Sequence, residues 1–423
     1  MTINANLLKQ IDLMRGLLRP EDSVEVISLL LLLKHYDPIA MLTIANMGKA
    51  SQEETLNELI TRAKSDFPEA VLASPNLINA MNSLHVAIDF VVNNSDDLAL
   101  CQAIRTVINT LGRISEMGSS QNEQTLLSAI IGNNDIENLY DGTAGLANNA
   151  SLIAAKAMTL RDINLTAYAI GYRMLTVEGK SFDYRVINSL VEPSIQPSSY
   201  DLVVMTPPFG LRLNNLFEIT KAPYLLPDLS SNVPTSASDS LWIQLSIYAM
   251  SAQGKAYITL PSGVFFRGGY DAQLREYLVE NELIEAIINL PSGMLDHTIT
   301  PTVMLVLNKA KAKGSAIHFV DARSIMTKQG RKNILSIAQA QLIAEMARGL
   351  HPNHEQYKAV YLPQIREKKY VLNVAHYFDY EEEIIRPNIA QEKQKLDDAT
   401  QKHEQSQLKL LSLLNKHMLV RLQ

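Results

Sequence analysis

From residue 7 to about residue 114 apolar positions recur every third or fourth residue, prolines fall near segment starts, and no period-two alternation persists. This predicts an N-terminal helical domain over 1–117, in which 23–35 and 77–92 are apolar enough to be buried against each other. After Gly118-Ser119-Ser120 the texture changes to short apolar runs, each followed by a turn and a helical pattern, which predicts an α/β domain over 118–386. The candidate strands are 138–141, 159–163, 184–188, 200–205, 255–260, 286–290, 302–308 and 316–320, with a helix over 150–158 between the first two. Between Gly210 and Ser240 lies a long stretch of little periodicity, and loops of that length inside a domain are usually functional or disordered. The tail, 387–423, has no glycine or proline after Pro387 and predicts one long helix. Leu396, Ala399, Leu410, Leu413 and Val420 fit heptad spacing there, but His403 and Ser406 interrupt it, so a coiled-coil partner and packing on the body both remain open.

Composition narrows the class. The chain has 423 residues and a formal charge of −6, which disfavours binding nucleic acid alone through a basic surface. Cys101 is the single cysteine, so neither a disulfide framework nor a thiolate metal cluster is available, as expected in a reducing cytoplasm. The first residues lack the basic and apolar regions of a signal peptide, and the run 29–33 is too short to span a bilayer. A cytoplasmic protein is expected.

The candidate chemistry sits where strands end. Leu202-Val203-Val204-Met205 reads as a buried strand, and Pro207-Pro208 stops it because neither proline can donate to a ladder. Thr206 and the Pro207 carbonyl can then accept the two N–H bonds of an exocyclic amine, while Pro208 stiffens the turn and Phe209 stacks on a base that has left its helix. A plain strand-to-loop turn is the competing reading. Earlier, Asp141-Gly142-Thr143-Ala144-Gly145 follows a candidate strand; its glycines let a nucleotide-like cofactor approach the backbone, and Asp141 can receive an amino group. Asp162, about twenty residues on, ends the next strand, where an acidic side chain grips ribose hydroxyls or else caps a helix. Asn188 ends the third strand, placed to touch an adenine ring or to cap a turn. The order of these features is more specific than any one of them.

On these residues the chain resembles the DNA adenine-N6 methyltransferases, most closely the modification subunits of type I restriction-modification systems. The 141–145 stretch is similar to their Asp-Pro-Thr-Cys-Gly loop, Asp162-Ile163-Asn164 to their Glu-Ile-Asn segment, and Thr206-Pro207-Pro208-Phe209 to their Asn-Pro-Pro-Phe turn. The segments 260–269, 283–291 and 300–308 extend the match, which covers roughly 15–380.

The resemblance implies a class I S-adenosylmethionine-dependent methyltransferase fold, a Rossmann-like sheet flanked by an N-terminal helical domain and a C-terminal helix. It implies S-adenosyl-L-methionine as cofactor, held by Asp141, Gly142, Thr143, Gly145, Asp162 and Asn188, with Thr206, Pro207, Pro208 and Phe209 as the catalytic turn. The implied partners are DNA and a separate specificity subunit, with or without a restriction subunit, and no membrane. Three departures are visible: Thr206 replaces Asn or Asp, Leu146-Ala147 replaces a glycine and is expected to narrow the loop, and 118–130 lacks an aromatic-Thr-Pro segment. They leave open a second reading, a catalytically silent subunit that binds DNA or assembles a defence complex. If the enzyme is active, Thr206→Asn is expected to raise adenine methylation.

Overall fold

Pro20 opens the helix around which the amino-terminal part is packed. It occupies the first helical turn of Pro20–Tyr36, where its missing N–H costs nothing, with Glu21 and Asp22 beside it and Lys34 and His35 in the last turn, all favourable to the helix dipole. Every residue from 23 to 33 is buried, because the helices Ile3–Met14, Pro38–Ala45, Lys49–Asp66, Leu77–Asn93 and Asp97–Ile108 surround it. The computed structural model describes residues 2–420 apart from 17, 69–76, 112–116, 230–232, 296–297, 299, 331 and 379–388. Among the described residues no helix is long and apolar enough to cross a membrane.

The second part is built on a nine-stranded sheet. Its strands are β1 (Ile136–Asp141), β2 (Ala155–Asp162), β3 (Phe182–Val186), β4 (Tyr200–Met205), β5 (Met250–Pro261), β6 (Ile284–Asn289), β7 (Thr302–Asn308) and β8 (Ile317–Asp321), and a small separate hairpin pairs β9 (Thr327–Gln329) with β10 (Lys332–Ile334). The ninth strand of the sheet is β11 (Tyr357–Val360). The order is β11-β8-β6-β7-β5-β4-β1-β2-β3. β3, β2, β1, β4 and β5 run parallel, whereas β7 is antiparallel to both β5 and β6. The chain winds outward from β1 in one direction and from β4 in the other, so a crevice opens at the carboxyl ends of those neighbours.

Alternation along the strands sends Val203 and Met205 to one face, with Trp242 and Leu245 of the helix Ser238–Ala249, and Leu202 and Val204 to the other, with Leu127 of the helix Gln121–Ile131. The helix Leu165–Val177 serves two cores. Tyr168 and Leu175 pack on the sheet, while Ala167, Ile170, Met174 and Val177 join the amino-terminal helices. Buried cations reinforce that junction. Arg173 donates to the Glu25 carbonyl at 3.0 Å and lies 3.9 Å from its carboxylate, and Arg105 pairs with Glu178. Burial lowers the Arg173 pKa to about 10.

Two expectations change. The segment expected as a helix over 150–158 is helical only over Asn148–Leu152, and its second half lengthens β2, because Ala155 and Ala157 pair with Ile136 and Asn138 and tertiary pairing overrides local propensity. β3 begins and ends earlier than the pattern implied, which leaves Asn188 in the following loop. The long stretch after Gly210 is anchored by buried Leu213, Ile219, Tyr224 and Leu229, and its Tyr224 hydroxyl donates to the Leu190 carbonyl at 2.7 Å.

Residues 1–378 form one compact unit and 379–423 a second. The second contains the helix Ile389–Val420, on which Leu396, Leu408, Leu410, Leu411 and Leu413 are exposed; the side chain of Val420 lies outside the described residues.

Candidate active site

The crevice holds a cleft of about 660 Å³, lined among others by Gly118, Glu123, Gly142, Thr143, Gly145, Asp162, Asn188, Thr206, Pro207, Pro208, Phe209 and Trp242. Residues remote in sequence are thus brought together by the ends of β1, β2 and β4. The 142–145 loop is held from several sides. The Gly145 N–H donates to Asp162 Oδ2 at 2.8 Å, Tyr184 donates to the Gly145 carbonyl at 2.5 Å, and Ser189 donates to the Gly142 carbonyl at 2.8 Å. Gly145 has φ +52°, and a Cβ placed on it would lie 2.2 Å from the Met117 carbonyl oxygen, so only glycine fits.

Of the predicted residues, Asp141 alone is absent from the cleft wall. It is buried behind the loop, where Oδ1 accepts the backbone N–H and the hydroxyl of Thr143 at 2.9 and 3.2 Å. It braces the loop through Thr143. Burial pushes its pKa up to about 7 against the pull of the Thr143 donors, and the nearby charges of Asp162 and Glu123 push in the same direction as burial. Asp162 lines the cleft, with Oδ1 accepting from Asn164 N–H at 2.7 Å; burial raises its pKa, opposed by N–H bonds from Asn164, Gly145 and Ile163. The helix after it is capped by Asn164, whose Oδ1 accepts from Thr166 and Ala167. Asn188 lines the cleft while its Oδ1 accepts from Leu190 N–H at 3.1 Å.

The 206–209 turn follows β4. The Thr206 N–H donates to Thr143 Oγ1 at 3.2 Å, its hydroxyl donates to the Glu123 carboxylate, and Pro207 and Phe209 lie on the cleft wall. Beyond them the Gly210 N–H reaches Asp239 at 3.3 Å, and Arg267 bridges Asp239 and Asp271 at 2.8 and 2.6 Å, which pins the turn to the loop after β5.

Among the wall residues not singled out from sequence are Trp242 and Glu123. Trp242, the chain's one tryptophan, sits on the helix Ser238–Ala249. Glu123 lies in the first turn of Gln121–Ile131, and its only signal was the Ser-x-x-Glu spacing from Ser120, which suggests a capping box. The serine half forms, with Ser120 Oγ accepting from the Glu123 N–H at 3.1 Å, but the carboxylate serves Thr206. Leu146 is fully buried among the amino-terminal helices, beside Gly118 and outside the set of cleft-lining residues. Met117, Gly118 and Ser119 line the cleft just ahead of that helix, in the region that lacks an aromatic-Thr-Pro segment.

The donor set fits S-adenosylmethionine. The charged side chains on the wall are Glu123 and Asp162, with Asp141 behind, and among the lining residues there is no lysine or arginine. An acidic wall suits a ligand carrying a sulfonium and an ammonium, and it would repel the phosphates of a dinucleotide. Strand order, switch-point cleft and glycine loop together define a class I methyltransferase fold.

The comparisons agree. The family model described as N-6 DNA Methylase matches residues 151–384, more than half of the chain, and the chain belongs to that family. The type I restriction enzyme MpnII methylase subunit of Mycoplasma pneumoniae is 25% identical over 222 residues, 51% of this chain and 40% of that protein. The MjaVII methylase subunit of Methanocaldococcus jannaschii is 29% identical over 211 residues, 48% of this chain and 36% of that protein. The chain therefore spans well under half the length of these relatives. The crystal structure of a type I restriction-modification methyltransferase subunit from Streptococcus thermophilus superposes with TM-score 0.72 at 18% identity, covering 89% of this chain and 99% of that one. A chain from a structure describing complex assembly of a type I restriction-modification system gives TM-score 0.63 at 15% identity, covering 97% and 98%.

Proposed function

We propose that the protein is an S-adenosylmethionine-dependent DNA adenine-N6 methyltransferase, the modification subunit of a type I restriction-modification system. The observation that carries this reading is the convergence of the 142–145 loop, Asp162, Asn188 and the 206–209 turn on one acidic cleft. When bound, S-adenosylmethionine supplies an electrophilic methyl group. The protein's part is then positional and electrostatic. Gly142, Thr143 and Gly145 hold the methionine end, with Asp141 fixing Thr143; Asp162 takes the ribose hydroxyls, and Asn188 the adenine of the cofactor. Thr206 Oγ1 and the Pro207 carbonyl accept the two N–H bonds of the target amine, which frees its lone pair and stabilises positive charge developing on nitrogen. Phe209 stacks on the flipped base.

The net charge of −6 supports a partner that supplies the DNA contacts, and the same reading makes that partner a separate specificity subunit, with a cytoplasmic location. One ground for a silent subunit weakens, since Leu146 is buried in the core and is not among the residues lining the cleft. Isothermal titration of the purified chain with S-adenosylmethionine, followed by transfer of labelled methyl groups to DNA in the assembled complex, tests the proposal. Absence of cofactor binding would sink it.

A further inference from the structure

The turn that faces the target amine carries a hydroxyl, and a hydroxyl can donate as well as accept. A donor pointed at an amine nitrogen would occupy the very lone pair that the reaction needs. The surroundings of Thr206 decide between the two roles. Its backbone N–H is fixed on Thr143 Oγ1 at 3.2 Å, and Thr143 is in turn fixed by Asp141, so the residue is held from the β1 side. The first turn of the helix Gln121–Ile131 brings up Glu123, whose carboxylate accepts a hydrogen bond from the Thr206 hydroxyl. Thr206 and Glu123 both line the cleft.

We propose that Glu123 is a positioning residue that holds the Thr206 proton on its own carboxylate, so that Oγ1 serves only as an acceptor for the exocyclic amine of a flipped adenine. The inference rests on the methyltransferase reading above. A hydroxyl whose single proton is committed has only lone pairs left, and an anionic acceptor behind it enriches the oxygen and strengthens the bond in front. A carboxamide or carboxylate oxygen accepts by constitution; here the same property is assembled from two residues distant in sequence. The Glu123→Gln variant keeps the shape but can offer an N–H to Oγ1, which frees the hydroxyl proton to point at the amine.

The test uses the full chain with S-adenosylhomocysteine and two oligonucleotides, one with a single unpaired adenine and one with a single unpaired purine that lacks the 6-amino group. The ratio of their dissociation constants, read by Trp242 fluorescence, reports amine acceptance without any turnover. Wild type is expected to prefer adenine by about tenfold, the worth of one hydrogen bond to a polarised acceptor. Glu123→Gln should bring the ratio near one with the melting temperature unchanged. Adding Thr206→Asn, whose side-chain oxygen needs no such orientation, should restore it. A merely structural role for Glu123 would lower the melting temperature and would not be rescued in this way. An unchanged ratio in Glu123→Gln, or no rescue by the second substitution, overturns the assignment. A wild type that binds S-adenosylhomocysteine but ignores the amino group overturns it too, leaving cofactor use intact, whereas failure to bind S-adenosylhomocysteine removes the methyltransferase reading and this inference with it.

Discussion

Asp162 Oδ2 accepts the backbone N–H of Gly145 at 2.8 Å, so the acidic end of β2 braces the glycine loop at the end of β1 while it also faces the cleft. One side chain therefore shapes the loop and, in the proposed function, also grips the ligand. Asp162→Ala should weaken S-adenosylmethionine binding roughly 10- to 100-fold, because charged hydrogen bonds worth about 1.5–3 kcal/mol are lost. Asp162→Asn keeps one acceptor and should lose less. Titration calorimetry reads both, and equal affinities in all three proteins would contradict the role.

Gly145→Ala meets a left-handed backbone and the Met117 carbonyl together, whereas Gly179, also left-handed at φ +66°, has nothing within 4 Å of an added Cβ. The second substitution should cost roughly 1–2 kcal/mol from backbone strain alone. The first should cost clearly more and abolish cofactor binding as well. Urea unfolding of the two variants separates contact from strain, and equal losses would place the contact in doubt.

Asp141 gives a pH signature. With its folded pKa raised to about 7, above the ordinary aspartate value, its neutral form is favoured by folding. The associated stability is fully present below about pH 4 and is lost as pH rises through about 7, a change on the order of 2–4 kcal/mol. Asp141→Asn should flatten that slope in unfolding experiments across the same range. Binding of the cationic cofactor should run the opposite way and tighten through pH 7 in wild type, since ionised Asp141 attracts it.

Thr206→Asn was expected from sequence to repair a poor acceptor, a gap that in oxyanion sites is worth about 2–4 kcal/mol, or roughly a hundredfold to a thousandfold in rate. With the hydroxyl proton already committed to Glu123, the expected gain shrinks to less than about tenfold. Single-turnover methylation by the assembled complex measures it. A hundredfold gain would show that the Glu123 contact does not prepare Thr206.

The exposed leucines at 396, 408, 410, 411 and 413 make the helix Ile389–Val420 a candidate docking element for the specificity subunit. Deleting 391–423 should weaken that association in co-purification or sedimentation while leaving S-adenosylmethionine binding to the rest of the chain intact. Alone, the protein should bind duplex DNA weakly and without sequence preference at physiological salt. Tight specific binding by the isolated chain would count against a separate reader.

The strand ends were legible because glycine and proline punctuate them: Gly142 and Gly145 after β1, Pro207 and Pro208 after β4. What could not be read depends on distant partners. Residues 155–158 carry no strong strand preference of their own and become strand by pairing with β1. Glu123 and Thr206 are hydrogen-bonded although 83 positions apart in sequence, and nothing local to either predicts the other. Asp141 looked like a ligand contact because it ends a strand, but burial behind Thr143 is a property of the packed loop. The β11 edge was missed for a similar reason, since Tyr357–Val360 is short and is defined by its antiparallel pairing with β8.

The double-faced helix Leu165–Val177 has a practical corollary for anyone who would excise the α/β core. The family match begins at residue 151, yet Leu146, Ala167, Ile170, Met174 and Val177 share their core with helices that lie before that point, and Arg173 is neutralised by Glu25 and its carbonyl. A fragment trimmed to the matched segment would keep the 206–209 turn but lose the glycine loop, bare a strip of apolar surface and part the Arg173 guanidinium from Glu25 and Ser28. The boundary at which the family becomes recognisable is therefore not one at which the polypeptide can be cut, and the smallest autonomous version of this cleft has to carry the amino-terminal helices with it.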